Sequence, residues 1–293
     1  MYYIIYPLLY LLSLLPFFIL YGISDFAAFL LRRVFKYRKE VILANLAIAF
    51  PEKTEEERKK IAREFYQYFT DTMIETLKMF SISKKQLYKR TSSNYELVNK
   101  LISEGRSINF IGGHQFNWEW GSLLYASQLT IPLVTVYIPL KNKTFDRIMY
   151  NARSQFGSMM VSPGDLKTRL HKVFIKQHGF VLAADQSPAV PTSGYWIKFF
   201  GRPTPFLTGP EKSAIKNEAA VVYFSFKRIK RGHYHYEPVL ITDDASQMTE
   251  RGMITRLYSE ALERAIQNDP PNYLWSHRRF KFDWKPEYGK VIE

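Results

Sequence analysis

A long uncharged apolar segment at the start of the chain constrains the fold more than any other feature of the sequence. Between Tyr2 and Ser24 no side chain is charged, and the segment is long enough to cross a hydrocarbon core as a helix. Five basic residues follow it, namely Arg32, Arg33, Lys36, Arg38 and Lys39. A basic cluster after an apolar segment is typical of the cytoplasmic side of a membrane and contacts anionic headgroups. The pattern predicts an N-terminal membrane anchor over residues 1–31 and one domain over residues 32–293.

Two alternatives concern this anchor. A cleaved signal peptide usually begins with positive charge, whereas no side chain before Asp25 is charged here, so a retained anchor is favoured. Pro7 and Pro16 would bend a helix. A kinked membrane span and a shallow interfacial helix are therefore both compatible with the sequence.

The composition favours an anionic partner. The chain has 293 residues, a formal net charge of +14 and no cysteine, which excludes disulfides, thiolate metal sites and a cysteine nucleophile. Such a positive charge suits anionic lipid, an acidic carrier protein or nucleic acid. Basic and aromatic residues interleave over residues 224–236, as in some single-strand binders. No nucleic-acid-binding motif accompanies them, and a membrane anchor explains the charge better.

The rest of the chain is typical of an α/β fold. A helix is predicted over residues 37–50, and a second begins at Thr54, which has capping-box spacing to Glu57. Beyond residue 94, helical segments alternate with short apolar runs, and a helix near residues 248–266 follows the last run. The runs predicted as strands are 108–111, 133–137, 180–183, 196–200, 220–226 and 236–241. The pattern predicts a mixed, mostly buried sheet flanked by helices.

Residues 110–120 read FIGGHQFNWEW and combine two glycines, a histidine and a carboxylate. Residues 108–111 form the predicted strand and Asn117 can cap a helix, so the glycines make a turn that carries His114. The helix dipole disfavours imidazolium there, and a general base at pH 7 needs a neutral imidazole. Glu119, in the first helical turn, would stay charged and orient the ring. The spacing of His114 and Glu119 taken alone favours the alternative, a histidine that is hydrogen-bonded to the backbone near a turn.

Other chemistries lack their motifs. The sequence has no Gly-x-Ser-x-Gly elbow, no phosphate-binding loop, no dinucleotide fingerprint and no His-Glu-x-x-His zinc helix. His233 and His235 would share one face of a strand, but no third metal ligand is evident near them. A polar strand face is the commoner explanation of such a pair.

Further blocks of sequence follow one another along almost the whole chain. Their residues are Tyr37, Arg38, Asn45, Leu46, Phe50 and Pro51, then Tyr137, Pro139, Asn142, Arg153 and Gly157, then Asp185 and Gln186, then Phe199, Phe200, Gly201 and Pro203, and finally Trp275, His277, Arg278, Arg279 and Lys281. Together with GGHQFNWEW, these blocks resemble the bacterial lipid A biosynthesis (lauroyl/myristoyl-type) acyltransferases, within the glycerolipid acyltransferase superfamily. Phe116 stands where that family usually has glycine, and we expect it to narrow the turn or to line an acyl channel.

The resemblance implies acyl transfer from an acyl-carrier-protein thioester to a hydroxyl of a lipid A precursor, without a metal or another cofactor. It implies His114 and Glu119 as catalytic residues. The residues expected to bind substrate are Asn117, Arg153, Asp185, Gln186, Gly201 and Pro203. The implied partners are acyl carrier protein, a membrane glycolipid and an anionic membrane surface, with no nucleic acid. The implied location is the bacterial inner membrane, with the catalytic domain facing the cytoplasm.

Two of these residues also have simpler explanations. Arg153 is expected to engage a phosphate or carboxylate through its planar fork, and a surface arginine is the alternative. Asp185 follows the apolar run FVLAA, so we expect it at a strand end that faces the site. An aspartate in a turn is its alternative.

Two functional alternatives remain. The first keeps the chemistry and changes the acceptor to a lysophospholipid, an aminolipid or another glycolipid such as a mannoside. The second is a basic, membrane-anchored protein that binds anionic lipid without catalysis.

Overall fold

The N-terminal apolar segment forms two helices that meet at a bend of 109°. The computed structural model describes residues 1–165 and 177–293. Helix α1 spans Tyr2–Leu14, helix α2 spans Phe17–Phe29, and a π-helical turn over Leu30–Val34 continues α2. Within the described chain, no single helix is long and apolar enough to cross a membrane, whereas the bent pair taken together has that length and composition. The single anchor helix predicted from the sequence is therefore a bent pair of helices.

A proline and a lysine lie at this bend. Pro16 precedes the first residue of α2 and has no N–H to continue the hydrogen bonding of α1. Lys78 Nζ donates hydrogen bonds to the carbonyl oxygens of Ser13, at 2.7 Å, and Leu15, at 3.1 Å. The last carbonyls of α1 thus have partners although that helix ends there. The bend predicted at Pro16 is confirmed, and Pro7 lies inside α1.

Four helices follow this pair in the chain, and the last of them comes after the first strand of the main sheet. They are α3 (Lys39–Ala49), α4 (Glu55–Lys78), α5 (Lys84–Tyr88) and α6 (Glu96–Ser103). The capping box predicted for α4 is confirmed, because Thr54 Oγ1 accepts from the N–H of Glu57 while Glu57 Oε2 accepts from the N–H of Thr54. Helix α4 packs against α1, α2 and α3, so it connects the N-terminal pair to the rest of the chain.

The main sheet has seven strands in the order β1-β9-β8-β2-β5-β3-β4. These strands are β1 (Thr91–Ser93), β2 (Ile108–Gly112), β3 (Leu133–Val136), β4 (Met159–Val161), β5 (Gly179–Ala183), β8 (Ala220–Lys230) and β9 (His233–Thr242). Only β8 and β9 are antiparallel neighbours, and the other pairs are parallel. The mixed sheet predicted from the sequence is confirmed, and β2 lies between two parallel neighbours.

A second sheet has three strands in the order β10-β6-β7. These are β6 (Gly194–Phe199), β7 (Arg202–Leu207) and β10 (Val291–Ile292). Four further α-helices lie in the described residues, namely α7 (Trp118–Gln128), α8 (Lys143–Ser154), α9 (Gly209–Lys216) and α10 (Met253–Asn268).

Both faces of the main sheet are covered by apolar side chains. Neighbouring residues of β2 point to opposite faces, so Ile111 packs in one core with Phe65 of α4 and Leu262 of α10. Phe110 packs in the other core with Leu123 of α7. The carboxyl ends of the central strands remain as the edge where side chains of β2 and β5 can meet a ligand.

All six apolar runs predicted as strands overlap observed strands, although Tyr137 and Phe200 lie one residue beyond β3 and β6. The run at 196–200 is in β6, which belongs to the small sheet and not to the main one. Strand β7 was not predicted, because Pro203 and Pro205 within it argue against strand structure. Strands β1, β4 and β10 have at most three residues and leave no periodic pattern.

Candidate functional site

His114 lies in the loop between the carboxyl end of β2 and helix α7. A Cβ atom added to Gly113 would lie 2.7 Å from a methyl group of Leu262, so glycine lets this loop pack against α10. Asn117 caps α7, since its Oδ1 accepts a hydrogen bond from the N–H of Trp120 at 3.2 Å. The strand, turn and capped helix predicted from the sequence are therefore present.

Asp185 reaches His114 from the neighbouring strand. Gly112 of β2 lies opposite Ala183 of β5 in the parallel register, and the N–H of Ala184 donates to the carbonyl of Gly112 at 2.9 Å. Asp185 then emerges at the same edge of the sheet. Its Oδ1 lies 2.6 Å from His114 Nδ1, and its Oδ2 accepts from the backbone N–H of His114 at 2.9 Å. One carboxylate thus fixes both the ring and the loop, and its predicted strand-end position is confirmed.

Burial and charge set the protonation of this pair. Burial would raise the pKa of Asp185, but the charge and hydrogen bonds of His114 and the charge of Arg279 lower it to about 2. Burial lowers the pKa of His114, whereas the charge and hydrogen bond of Asp185 and the charge of Glu119 raise it above its usual value. The pKa of His114 is therefore shifted upwards, whereas the helix dipole alone would lower it. The ionised carboxylate only accepts hydrogen bonds, so the neutral ring carries its proton on Nδ1.

The second ring nitrogen of His114 contacts Gln186. The side chain is 19% exposed, and Gln186 Nε2 lies 3.3 Å from His114 Nε2 as a donor. Trp118 packs edge to face against the imidazole, with 5.4 Å between ring centres. With the proton on Nδ1, the lone pair on Nε2 can accept a proton from a substrate hydroxyl. Gln186 thus lies beside His114, and the substrate contact expected for it stays a prediction.

Glu119 pairs with Arg153 and not with His114. Arg153 Nη2 donates to Glu119 Oε1 at 2.6 Å, and Arg153 Nε donates to Oε2 at 3.0 Å. Glu119 is only 5% exposed. Among the hydrogen bonds of the described residues, none joins Glu119 to His114, so the contact predicted from their spacing is wrong and Asp185 makes it instead. The fork of Arg153 engages a carboxylate, as expected, but one from the protein itself.

Asn117 uses both ends of its amide inside the protein. It is fully buried, and Nδ2 donates to Glu75 Oε2 at 2.9 Å. Glu75 also accepts from the hydroxyls of Tyr21, at 2.8 Å, and Tyr234, at 2.6 Å. Burial raises the pKa of Glu75 to about 7, although both tyrosine hydrogen bonds act in the opposite direction. The substrate contact predicted for Asn117 therefore has no exposed atom to make it, and its amide positions the start of α7.

Phe116 packs in the core. It is 1% exposed, and its ring centre lies 5.9 Å from that of Phe65 and 6.4 Å from that of Phe69, both on α4. Its backbone N–H donates to Asn272 Oδ1 at 2.7 Å. The aromatic residue at this position therefore anchors the loop on α4 and does not line an acyl channel as expected.

The segment near the C-terminus passes behind the His114–Asp185 pair. The N–H of Leu274 donates to the carbonyl of His114 at 3.0 Å. Arg279 is 1% exposed and donates through Nη1 to Ser187 Oγ and to the carbonyl of Pro205, both at 2.9 Å. This buried cation contributes to the low pKa of Asp185.

Gly201 and Pro203 lie in the small sheet. Gly201 has a φ of +70° in the turn between β6 and β7, and Pro203 is in β7. Neither is hydrogen-bonded to the His114–Asp185 pair in the described part of the chain. The hairpin touches the site through its backbone, which accepts the hydrogen bond from Arg279, and the substrate contacts expected for both residues stay predictions.

The two strand histidines make separate contacts. His233 Nδ1 lies 3.2 Å from the carbonyl of Arg231, and His235 bonds to Ser92 and Glu237. Over residues 1–165 and 177–293, no three His, Cys, Asp or Glu side chains cluster as metal ligands would.

Glu75 and Asn272 support the site without having been predicted. Both act through hydrogen bonds to the loop after His114, Glu75 through the side chain of Asn117 and Asn272 through a backbone N–H. One signal was available, because Asp71 and Glu75 place two carboxylates four residues apart on one face of a helix. Asn272 carries no such signal.

Comparisons with known proteins identify the family of the chain. The family model described as bacterial lipid A biosynthesis acyltransferase matches residues 1–282. A lipid A biosynthesis lauroyltransferase of Escherichia coli (strain K12) is 24% identical over 276 residues, which are 93% of this chain and 89% of that protein. A lipid A biosynthesis acyltransferase of Haemophilus influenzae is 24% identical over 236 residues, covering 79% and 72% of the two chains. A lipid A biosynthesis palmitoleoyltransferase of Escherichia coli (strain K12) is 21% identical over 251 residues, covering 85% and 81%.

The matched region includes every residue of the His114 site described above, from the N-terminal helices to Arg279. The match extends over nearly the whole chain. The protein is an acyltransferase and belongs to the bacterial lipid A biosynthesis acyltransferase family.

Proposed function

We propose that the protein transfers a fatty acyl chain from an acyl-carrier-protein thioester to a hydroxyl of a lipid A precursor. The observation that carries this proposal is the 2.6 Å contact between His114 Nδ1 and the buried Asp185 carboxylate, which leaves Nε2 as the basic nitrogen. Membership of the family restricts the chemistry to acyl transfer and supports a lipid A acceptor.

The reaction follows from this geometry. His114 Nε2 takes the proton of the acceptor hydroxyl as the hydroxyl oxygen bonds to the thioester carbonyl carbon. The resulting imidazolium is stabilised by Asp185, the partner of Nδ1. The tetrahedral intermediate then collapses, the carbon–sulfur bond breaks, and the proton on Nε2 passes to the departing thiolate. The products are an ester on the acceptor and a free thiol on the carrier.

The start of α7 supplies charge stabilisation. The first amides of a helix have no intrahelical partner, and Asn117 engages only that of Trp120. The remaining first-turn amides of α7 begin four residues after His114, and they are the donors proposed for the oxyanion of the intermediate.

Glu119 acts differently from the role predicted for it. It holds Arg153 through both carboxylate oxygens, and its charge favours the imidazolium form of His114.

The bent helix pair is the proposed membrane contact. Both α1 and α2 pack along α4, so neither helix projects from the domain as a separate span. Large apolar side chains on the outer side of the pair are exposed, namely Tyr3, Ile4, Leu8, Leu11, Leu12, Phe18, Ile23 and Phe26. An apolar face of this kind suits a wedge that lies in the membrane interface. The enzyme then works at the inner membrane with its catalytic domain on the cytoplasmic side, where acyl carrier protein is available.

The first experiment is mass spectrometry of total lipids from isogenic cells. A deletion strain is complemented with the wild-type gene, with His114→Ala, with Asp185→Asn, or with His235→Ala as a control histidine outside the site, at matched protein levels. We expect lipid A that lacks one acyl chain in the deletion strain and in both site variants. The His235→Ala control should restore the missing acyl chain. The mass difference between the two forms of lipid A identifies that chain.

Two other results would change the conclusion. If lipid A is unchanged while another lipid loses an acyl group, the acyl transfer stands and the acceptor is different. If His114→Ala restores the lipids fully, His114 is not the catalytic base, and a lipid-binding role gains support.

A further inference from the structure

A strongly basic groove lies beside the N-terminal helix pair, away from His114. It encloses about 210 Å³ between the π-helical turn, α3 and α4. Five cationic side chains line it, namely Arg32, Arg33, Lys39, Lys59 and Arg63. Its other lining residues are Ile42, Leu43, Ala62 and Tyr66, so none of them is acidic. The adjoining groove shares Arg32 and Arg63 but also includes Asp25 and Glu64.

Most of this positive charge is not compensated by the protein. Within the described residues, Arg32, Arg33, Lys39 and Arg63 form no salt bridge, and only Lys59 pairs with glutamates of its own helix. Burial and the charges of Arg33 and Arg63 lower the pKa of Arg32. Like charges held this close repel one another unless an anion lies between them.

Other arginines of the chain are paired with buried carboxylates. Arg228 and Arg231 both point at the buried carboxylate of Asp71, at 2.7 and 2.6 Å. Arg153 is paired with Glu119. The fold therefore supplies carboxylates to clustered arginines elsewhere, and the groove between α3 and α4 is an exception.

The groove lies next to apolar side chains suited to a membrane. Phe29 and Val34, on either side of the two groove arginines in sequence, are 50% and 57% exposed, and Phe35 is 68% exposed. Arginines at the end of an apolar interfacial helix lie at the depth of lipid headgroups. An anion that reaches this groove would thus come from the membrane surface.

The size of the groove favours a compact anion over a protein surface. A stable protein partner usually covers about 800 Å² on each side, much more than a cleft of this volume presents. Planar guanidinium groups match the oxygens of a phosphate in pairs, and a phosphate monoester carries about −1.5 to −2 charges at pH 7. We propose that this groove binds the phosphate monoester of a phosphorylated lipid headgroup.

The position relative to His114 connects the groove to the reaction. Tyr66 lines the groove, whereas the adjacent Phe65 packs against Phe116, two residues after His114. Consecutive residues of a helix project about 100° apart, so the groove and the loop that carries His114 contact adjacent faces of α4. This part of the proposal rests on the proposed function, because it makes the bound phosphate that of the acyl acceptor.

A binding experiment tests the groove directly. The full-length protein is mixed with neutral phosphatidylcholine vesicles that contain either phosphatidic acid or the same mole fraction of phosphatidylglycerol. The test variant is Arg33→Gln/Arg63→Gln. The matched control, Lys36→Gln/Lys60→Gln, removes the same charge from neighbouring positions outside the groove. Inorganic phosphate is added as a competitor in a parallel series, and thermal unfolding checks that all proteins are folded.

We expect the test variant to lose roughly tenfold or more of its affinity for phosphatidic acid, and the control to lose only a few-fold. Weak competition by millimolar inorganic phosphate would indicate that the phosphate is recognised on a lipid. Full competition would identify free phosphate as the ligand and overturn the lipid part of the proposal. Equal losses in the two variants would indicate general attraction to the surface and overturn the site itself.

A kinetic experiment separates this proposal from the proposed function. Acyl transfer is measured with a phosphorylated glucosamine lipid and with its dephosphorylated form. We expect the wild type to show a lower KM for the phosphorylated lipid, and the test variant to show similar KM values for both. If the test variant instead shows a raised KM only for acyl carrier protein, the groove binds the acyl donor and the acceptor part of the proposal is overturned. If the wild type acylates neither lipid, the proposed function fails. The vesicle experiment then still decides whether the groove binds a lipid phosphate.

Discussion

Two carboxylates lie near His114, and only one of them bonds to its ring. Asp185 uses both oxygens on His114, one on Nδ1 and one on the backbone N–H. Glu119 uses both oxygens on Arg153. The first arrangement fixes the tautomer and orientation of the base, while the second keeps a buried charge neutralised beside it. We therefore expect the two acids to have separable effects on catalysis and on stability.

Replacement of Asp185 by asparagine tests the first effect. The carboxylate raises the pKa of His114, so the wild-type acid limb of kcat/KM should lie above the usual histidine value of about 6.5. In Asp185→Asn, only the charge of Glu119 still opposes the lowering of the His114 pKa by burial, and the acid limb should move to lower pH. The maximal rate should fall about 10²–10⁴-fold. A pH–rate profile measures both, with Asp283→Asn as a surface control, and an unmoved acid limb would count against the pairing.

Replacement of Arg153 by methionine tests the second effect. The change leaves Glu119 buried without its partner, and should lower the free energy of unfolding by about 3–5 kcal/mol. The double variant Glu119→Gln/Arg153→Met removes both charges and should regain most of that loss, which chemical denaturation can measure. Additive losses would mean that the two side chains are not coupled.

The loop around His114 could be predicted from sequence because its determinants are local. Gly113, Asn117 and the strand before them lie within ten residues of one another. The partner of His114 could not be assigned in the same way, because it depends on which strand lies beside β2. Asp185 was predicted at a strand end, but the adjacency of β5 and β2 arises from sheet order, which local patterns do not encode. Spacing therefore suggested Glu119, whose side chain turns towards α8.

Helix α2 is tied to the rest of the fold by buried polar side chains. Ser24 Oγ donates to Asp71 at 2.6 Å, and Arg231 bridges Asp71 and Asp25. The hydroxyl of Tyr21 reaches Glu75, which in turn holds Asn117 at the start of α7. These contacts link α2 to the start of α7, next to the loop that carries His114, in two steps. A division of the chain into an anchor over 1–31 and a domain over 32–293 stays a prediction, and we expect the two parts to unfold together.

The ionisation of Glu75 should be visible in the stability of the protein. Its pKa is raised from 4.5 to about 7, so the folded state holds a proton that the unfolded state has released within that interval. The free energy of unfolding should therefore fall as pH rises from about 4.5 to 7, by on the order of 3 kcal/mol at about 1.4 kcal/mol per pKa unit. Above that interval the contribution should be constant.

Glu75→Gln provides the comparison. The glutamine cannot ionise, and the other titrating groups of the protein are unchanged. Urea denaturation of both proteins in mild detergent at several pH values gives the difference attributable to this side chain. A difference that does not change with pH would show that Glu75 has an ordinary pKa in the folded protein.

At the scale of elements, the helix caps and the longer strands could be read from the sequence. Thr54 and Asn117 cap helices as predicted, because capping depends on side chains within three residues. The small sheet could not be predicted, since β7 contains two prolines and β10 pairs with β6 from far along the chain. The bend in the N-terminal pair was suggested by Pro16, whereas the role of Lys78 depends on packing against α4.

The whole molecule presents an apolar face and a large positive charge, which should act together at a membrane. Phe18 and Phe26 are 76% and 63% exposed, so the change of both to serine should alter folding stability little. Each buried phenylalanine contributes roughly 1.5–3 kcal/mol, so vesicle affinity should fall by about tenfold or more. Sedimentation with anionic vesicles measures it, and Val190→Ser/Leu240→Ser is the control. Unchanged binding of Phe18→Ser/Phe26→Ser would exclude α2 as the membrane contact.

The distance along the chain between His114 and Asp185 has a consequence for protein engineering. The hydrogen bond between them joins residues 71 positions apart. A designed scaffold that receives only the segment from Gly112 to Glu119 would copy the recognisable motif without the group that orients its base. The smallest transplantable unit is the parallel pair of β2 and β5 with the residues that follow each strand. Designers who borrow this motif should therefore choose a host by the neighbour of its acceptor strand.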